Sequence, residues 1–75
     1  MPVDQMDPTP LYEQLASILR GRITSGELNK GDLLPSESYL QQEHQVSRST
    51  VRAALKILRD EGLVITITAR GTFVR

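Results

Sequence analysis

The stretch SRSTVRAALKILRDEG, residues 47–62, decides how this chain reads. On a 100° helical wheel centred on Val51, the side chains of Ala54, Leu55 and Leu58 fall within about 60°, forming a core-facing stripe. Arg48, Arg52, Lys56 and Arg59 fall between about 60° and 140° on one side, so a continuous basic edge adjoins that stripe. Ser47 is placed to cap the helix, and Asp60-Glu61-Gly62 to close it. The basic edge then has either a polyanion or plain solvent to face.

Working outward, Val46-Ser47 is a brief turn behind a short second helix. Ser36 caps that helix, Glu37 suits its positive end, and Tyr39, Leu40 and His44 carry a thin inner face ending near Gln45. Further upstream, Thr9-Pro10 reads as an N-cap followed by proline at the first helical position. Leu11, Leu15, Ile18, Leu19 and Ile23 follow at helical spacing, which predicts a first helix over about residues 10–25, ended by Ser25-Gly26. Leu33 and Leu34, set between glycines and a proline, suit a single short edge strand. Residues 1–8 read as a flexible arm with little to bury.

Downstream, LVITITARGTFVR (63–75) changes texture. Its β-branched residues favour strands, and Thr68-Ala69-Arg70-Gly71 interrupts them, so a hairpin is expected. A lone hairpin is unstable in water and must lean on the helices, with Phe73 the obvious pin. The predicted fold is mainly α with a small β-hairpin: a winged helix-turn-helix of three helices plus a wing over residues 9–75.

Seventy-five residues make one domain, and the absence of cysteine excludes a disulfide framework or thiolate metal site. The N-terminus has no secretory pattern, and the longest apolar run, 63–65, is far too short to span a bilayer, so a cytoplasmic protein is the default. Nine basic and nine acidic residues give a formally neutral chain. They are segregated, however. Residues 1–45 hold three basic against seven acidic residues, and residues 46–75 hold six against two. Such asymmetry points toward a polyanionic partner.

A recognition helix enters the major groove by its first turns, and here those turns carry Arg48, Ser49 and Arg52, the candidates for reading bases. An arginine can donate two parallel bonds to guanine O6 and N7. The hydroxyls of Ser47, Ser49 and Thr50 suit phosphate oxygens beside the free N–H groups of the helix start, and Lys56 and Arg59 see phosphates at most. Arg70, at the hairpin tip, is placed for a neighbouring minor groove or its backbone. Against this, such arginines often lay their stems on the core and face solvent, or pair with Glu37, Glu43 or Glu61. The competing function is a winged helix serving as a protein-interaction module; steep salt dependence of duplex binding separates the two.

From Pro10 to Val74 the chain resembles the N-terminal DNA-binding domain of the GntR family of bacterial transcription regulators. PLYEQLASILRGRI (10–23), SGEL (25–28), LPSE (34–37), VSRSTVRAALKIL (46–58), EGLV (61–64) and RGTFV (70–74) carry the resemblance by their order and spacing. It implies a winged helix that binds double-stranded operator DNA, usually as a dimer on a palindrome, and most often as a repressor. It places Arg48 and Arg52 on bases, Ser47, Ser49 and Thr50 on phosphates, and Ser36 and Glu37 at the backbone, where the acid can orient an arginine. Arg70 and Gly71 match the wing tip, and RGTFV leans toward the HutC-like branch, whose effector domains bind small metabolites. The family often carries arginine where this chain has Ser38, glycine where it has Ala69, and a small residue where it has Gln41. Alanine tolerates positive φ less well than glycine, so either a different turn at the tip or a less close approach to DNA is expected. Family members usually continue into an effector domain that holds the dimer, so the isolated domain is expected to be a monomer.

No enzyme is expected. Asp60 and Glu61 point about 100° apart on a helix, unlike a catalytic pair. His44, the single histidine, lacks cysteine or histidine co-ligands for zinc and is expected to be capped or half-exposed, and no cofactor motif is present.

Overall fold

Two serine caps mark the centre of the fold. Ser36 Oγ accepts the Tyr39 N–H at 3.1 Å and Ser47 Oγ accepts the Thr50 N–H at 3.2 Å, each satisfying a donor left free at a helix start. The computed structural model describes residues 3–75, so the first two residues of the expected arm lie outside the described range. The helices are α1 (Leu11–Thr24), α2 (Glu37–His44) and α3 (Arg48–Asp60), followed by strands β1 (Val64–Ile67) and β2 (Gly71–Val74).

The apolar stripes meet as their spacing requires. Leu15 and Leu19 of α1, Leu40 of α2, and Val51, Ala54 and Leu58 of α3 are fully buried together. Each large aliphatic side chain so buried contributes about 1.5–3 kcal/mol. Gln45 takes a left-handed φ of 56° and ends α2, which turns the chain into α3 within three residues. The Arg20 guanidinium meets the Glu61 carboxylate at 2.9 and 2.8 Å and so ties α1 to the end of α3.

The hairpin is antiparallel, with Val64 opposite Val74, Ile65 opposite Phe73, Thr66 opposite Thr72 and Ile67 opposite Gly71. Leu33 bridges to Phe73 as the predicted short edge. Leu34 N–H donates to Thr72 O, and Val74 N–H to Asp32 O. The wing therefore leans on the body through β2 and through Val64 and Val74, which are buried.

Several details depart from the sequence reading. Pro10 is itself the cap, with φ −52° and ψ 141°, and its carbonyl accepts from Glu13 and Gln14 N–H. Thr9 caps nothing; the Gln14 side chain instead bonds the carbonyls of Asp4 and Thr9. Within the expected arm, Val3 is buried in the core and donates its N–H to His44 Nδ1 at 3.2 Å. That contact joins residues 41 apart, so no local pattern announces it. His44 is accordingly buried rather than half-exposed, whereas Tyr39, expected inward, is exposed. Phe73 is half-buried, because the strand alternation turns Val64 and Val74 toward the core instead.

Candidate nucleic-acid interface

The start of α3 carries a small hydroxyl cluster. Ser47 Oγ lies 3.0 Å from both Ser49 Oγ and Thr50 Oγ1. Ser47, Arg48 and Ser49 are exposed and Thr50 is half-buried, so N–H groups and hydroxyls converge on one open end. Such an end attracts anions through its unpaired donors and the helix dipole.

Arg48 and Arg52, one turn apart, leave 60% and 62% of their side chains exposed. Neither is covered by another part of the fold, which a surface ligand requires. Both face the Glu37 carboxylate at the start of α2. Arg52 Nε lies 3.1 Å from Oε2, and Arg48 Nε lies 4.0 Å from Oε1. The ridge is therefore pre-arranged from the neighbouring helix, as a basic edge beside Glu37 allows. Lys56 follows, with Nζ 2.8 Å from Asp60 Oδ2 in an i,i+4 pair. Arg59 turns away from this line and donates from Nη1 to Thr66 Oγ1 in β1 at 3.1 Å.

At the wing tip the Arg70 N–H donates to Ile67 O, closing a tight turn around Thr68 and Ala69. Ala69 adopts φ 65°, so alanine keeps the left-handed conformation that glycine would take more cheaply, and the tip does not switch to one that avoids positive φ. Gly71 suits its φ of 118°, which L side chains rarely adopt; a Cβ there would also come 2.8 Å from Leu33 Cδ1, the end of an exposed side chain that can move aside. Between the wing and the start of α2 lies an open cleft of about 510 Å³, lined by Leu33, Ser36, Glu37, Leu55, Thr66 and Arg70 among others.

The structure thus gathers Ser47, Arg48, Ser49, Thr50 and Arg52 on one exposed surface. Ser36 and Glu37 share the cleft with Arg70 and Gly71, while Lys56 lies further along α3 in its pair with Asp60. Sequence reading missed Thr66 and Thr72, whose hydroxyls meet at 3.0 Å across the hairpin. Their equal distance from the turn was the available signal. Among the described residues, no group of three or more histidine, cysteine or carboxylate side chains is placed to hold a metal. No helix among the described residues is long and apolar enough to cross a membrane.

Comparison with known proteins agrees with this geometry. The family model for bacterial regulatory proteins of the gntR family matches residues 11–74. The mannosyl-D-glycerate transport/metabolism system repressor MngR of Escherichia coli is 47% identical over 70 residues, covering 93% of this chain and 29% of that protein. A histidine utilization repressor of Klebsiella aerogenes is 39% identical over 67 residues, covering 89% of this chain and 28% of that protein. The chain thus spans less than a third of the length of these relatives. Among solved structures, AraR(DBD) in complex with operator ORX1 superposes with a TM-score of 0.88 at 31% identity, covering 100% of this chain and 89% of that one. Capped helices, tight turn, hairpin and a match along nearly the whole chain agree, and the protein belongs to the GntR family of bacterial regulatory proteins.

Proposed function

We propose that this chain binds double-stranded operator DNA as the DNA-reading part of a bacterial transcriptional repressor, acting in the cytoplasm and not as an enzyme. The observation that carries the reading is the exposed pair Arg48 and Arg52 at the capped, hydroxyl-rich start of α3. The first turns of α3 enter the major groove, where Arg48, Ser49 and Arg52 meet base edges. Ser47 and Thr50 meet phosphates through hydroxyls and N–H groups, as does the backbone at Ser36. Glu37 repels phosphate and acts on the arginines instead, setting their direction. Lys56 reaches phosphate by exchanging its exposed pair with Asp60, at little cost in stability. The wing, through Arg70 and Gly71, meets the neighbouring backbone or minor groove. Support comes from AraR(DBD), which holds operator DNA on the same fold, and from the repressor relatives.

On this reading two copies bind a palindromic operator, each filling a half-site. Selecting bound duplexes from a random pool tests it directly. A shared half-site motif is expected, with log affinity falling linearly against log salt. Absence of measurable duplex binding at low salt would instead favour a protein-interaction role for the basic ridge.

A further inference from the structure

Four basic side chains line the ridge of α3, and three of them meet carboxylates: Arg48 and Arg52 at Glu37, Lys56 at Asp60. Arg59 differs. Its Nη1 donates to Thr66 Oγ1 at 3.1 Å, and Thr66 Oγ1 lies 3.0 Å from Thr72 Oγ1. Thr66 and Thr72 are direct partners across the hairpin, so the guanidinium from the last turn of α3 reaches a polar link spanning both strands.

The position of that link matters because the body holds the outer wing by its β2 edge, and among the described residues no other side-chain hydrogen bond joins β1 to α3. Of β1 only Val64 is buried, while Ile65, Thr66 and Ile67 are exposed. The backbone bonds that join the 31–34 segment to the hairpin all reach β2, on the opposite edge from β1. The polar tie between α3 and the β1 edge beyond Val64 is therefore the Arg59 side chain. Residues rise about 3.3 Å each along a strand, so the tip lies roughly 10 Å beyond Thr66. A tilt of about 10° at the link would displace the tip by roughly 2 Å, more than a phosphate hydrogen bond tolerates.

We propose that Arg59 is a positioning residue that sets the angle between α3 and the wing, and so places Arg70 for DNA without touching DNA itself. Its consequence for affinity rests on the DNA-binding reading; its geometry in the free protein does not. A phosphate-binding arginine at the same place would act alone and additively, whereas a positioning arginine acts only through what it positions.

The test has two arms. In the free protein, residual dipolar couplings of backbone amides are measured for the wild type, Arg59→Ala and Thr66→Val. Both variants should shift the couplings of wing residues 65–72 and leave those of the three helices in place. Unchanged wing couplings in both variants overturn the proposal, whether or not the protein binds DNA. In the second arm, binding to a duplex selected by the wild-type protein is measured for Arg59→Ala, Arg70→Ala and the double variant. Arg59→Ala should weaken binding by the same factor as Arg70→Ala and flatten the salt slope equally, and the double variant should lose no more than either single one. Multiplicative losses in the double variant overturn the proposal in favour of direct contact. Failure of the wild type to select any duplex would defeat the DNA-binding reading and leave the first arm to decide the role of Arg59.

Discussion

The Arg52 guanidinium lies along the Glu37 carboxylate, Nε 3.1 Å from Oε2 and Nη2 3.4 Å from Oε1, so the first turn of α2 grips the ridge of α3. Both side chains are substantially exposed, and such pairs contribute at most about 1 kcal/mol to stability. Orientation is the larger effect. The pair holds an otherwise flexible arginine in one direction, which reduces the ordering cost of any contact made there.

Glu37→Gln should therefore leave the melting temperature nearly unchanged while altering selectivity. With a negative charge removed beside the ridge, affinity for arbitrary duplex should rise. Discrimination between a selected duplex and its scrambled form should fall by about 1 kcal/mol, the lower end of what one bidentate base contact supplies. Competition binding of the two duplexes measures both changes at once.

Arg52→Ala and Arg70→Ala should fail in different ways. The first should cost about 1–3 kcal/mol on the selected duplex and relax preference at one base pair. The second should weaken all duplexes alike and reduce the salt slope by about one. Repeating the random-pool selection with each variant separates them; an unchanged motif with Arg52→Ala would remove that residue from base reading.

Stability should depend on pH through His44. Burial pushes its pKa below the ordinary value, outweighing the pull of Glu43 in the opposite direction, while the charge of Arg22 adds to the depression. Nδ1 accepts the Val3 N–H, so the neutral ring carries its proton on Nε2, 3.2 Å from Glu43 Oε1. The unfolded chain then binds a proton near pH 6.5 that the folded chain refuses. This contribution is complete above that pH and is lost as the pH falls below it. Thermal melts between pH 7.5 and about 5 should show a declining midpoint. His44→Gln should be less stable overall yet flatter across the same window.

Ala69→Gly should stabilise the wing turn. Alanine at φ 65° costs about 1–2 kcal/mol of backbone strain, and glycine returns about 0.5–1 kcal/mol of that as unfolded-state entropy. A net gain of about 0.5–1 kcal/mol, a few degrees in the melting temperature, is expected by thermal denaturation. A drop in melting temperature would mean that the Ala69 methyl makes a stabilising contact outweighing its strain.

Much of this molecule was legible in its residues because the deciding signals are local. Ser36 and Ser47 cap their helices as read, and Val51, Ala54, Leu55 and Leu58 face inward as their spacing requires. Pro10 shows the limit of such reading. A Thr-Pro pair fits two cap assignments one residue apart, and the Gln14 side chain, holding the entering chain from outside any cap motif, accompanies the choice of Pro10.

By itself, the sequence determined three helices, a tight turn, a hairpin and a basic edge along α3, since periodicity and capping act over a few residues. Only tertiary structure decided that Val3 closes over His44, that Glu37 faces Arg52, and that Arg59 turns from the ridge to Thr66. Those pairs join residues 41, 15 and 7 positions apart on different elements. Which partner a long side chain takes depends on how the elements are docked, and no spacing along one helix or strand encodes that choice.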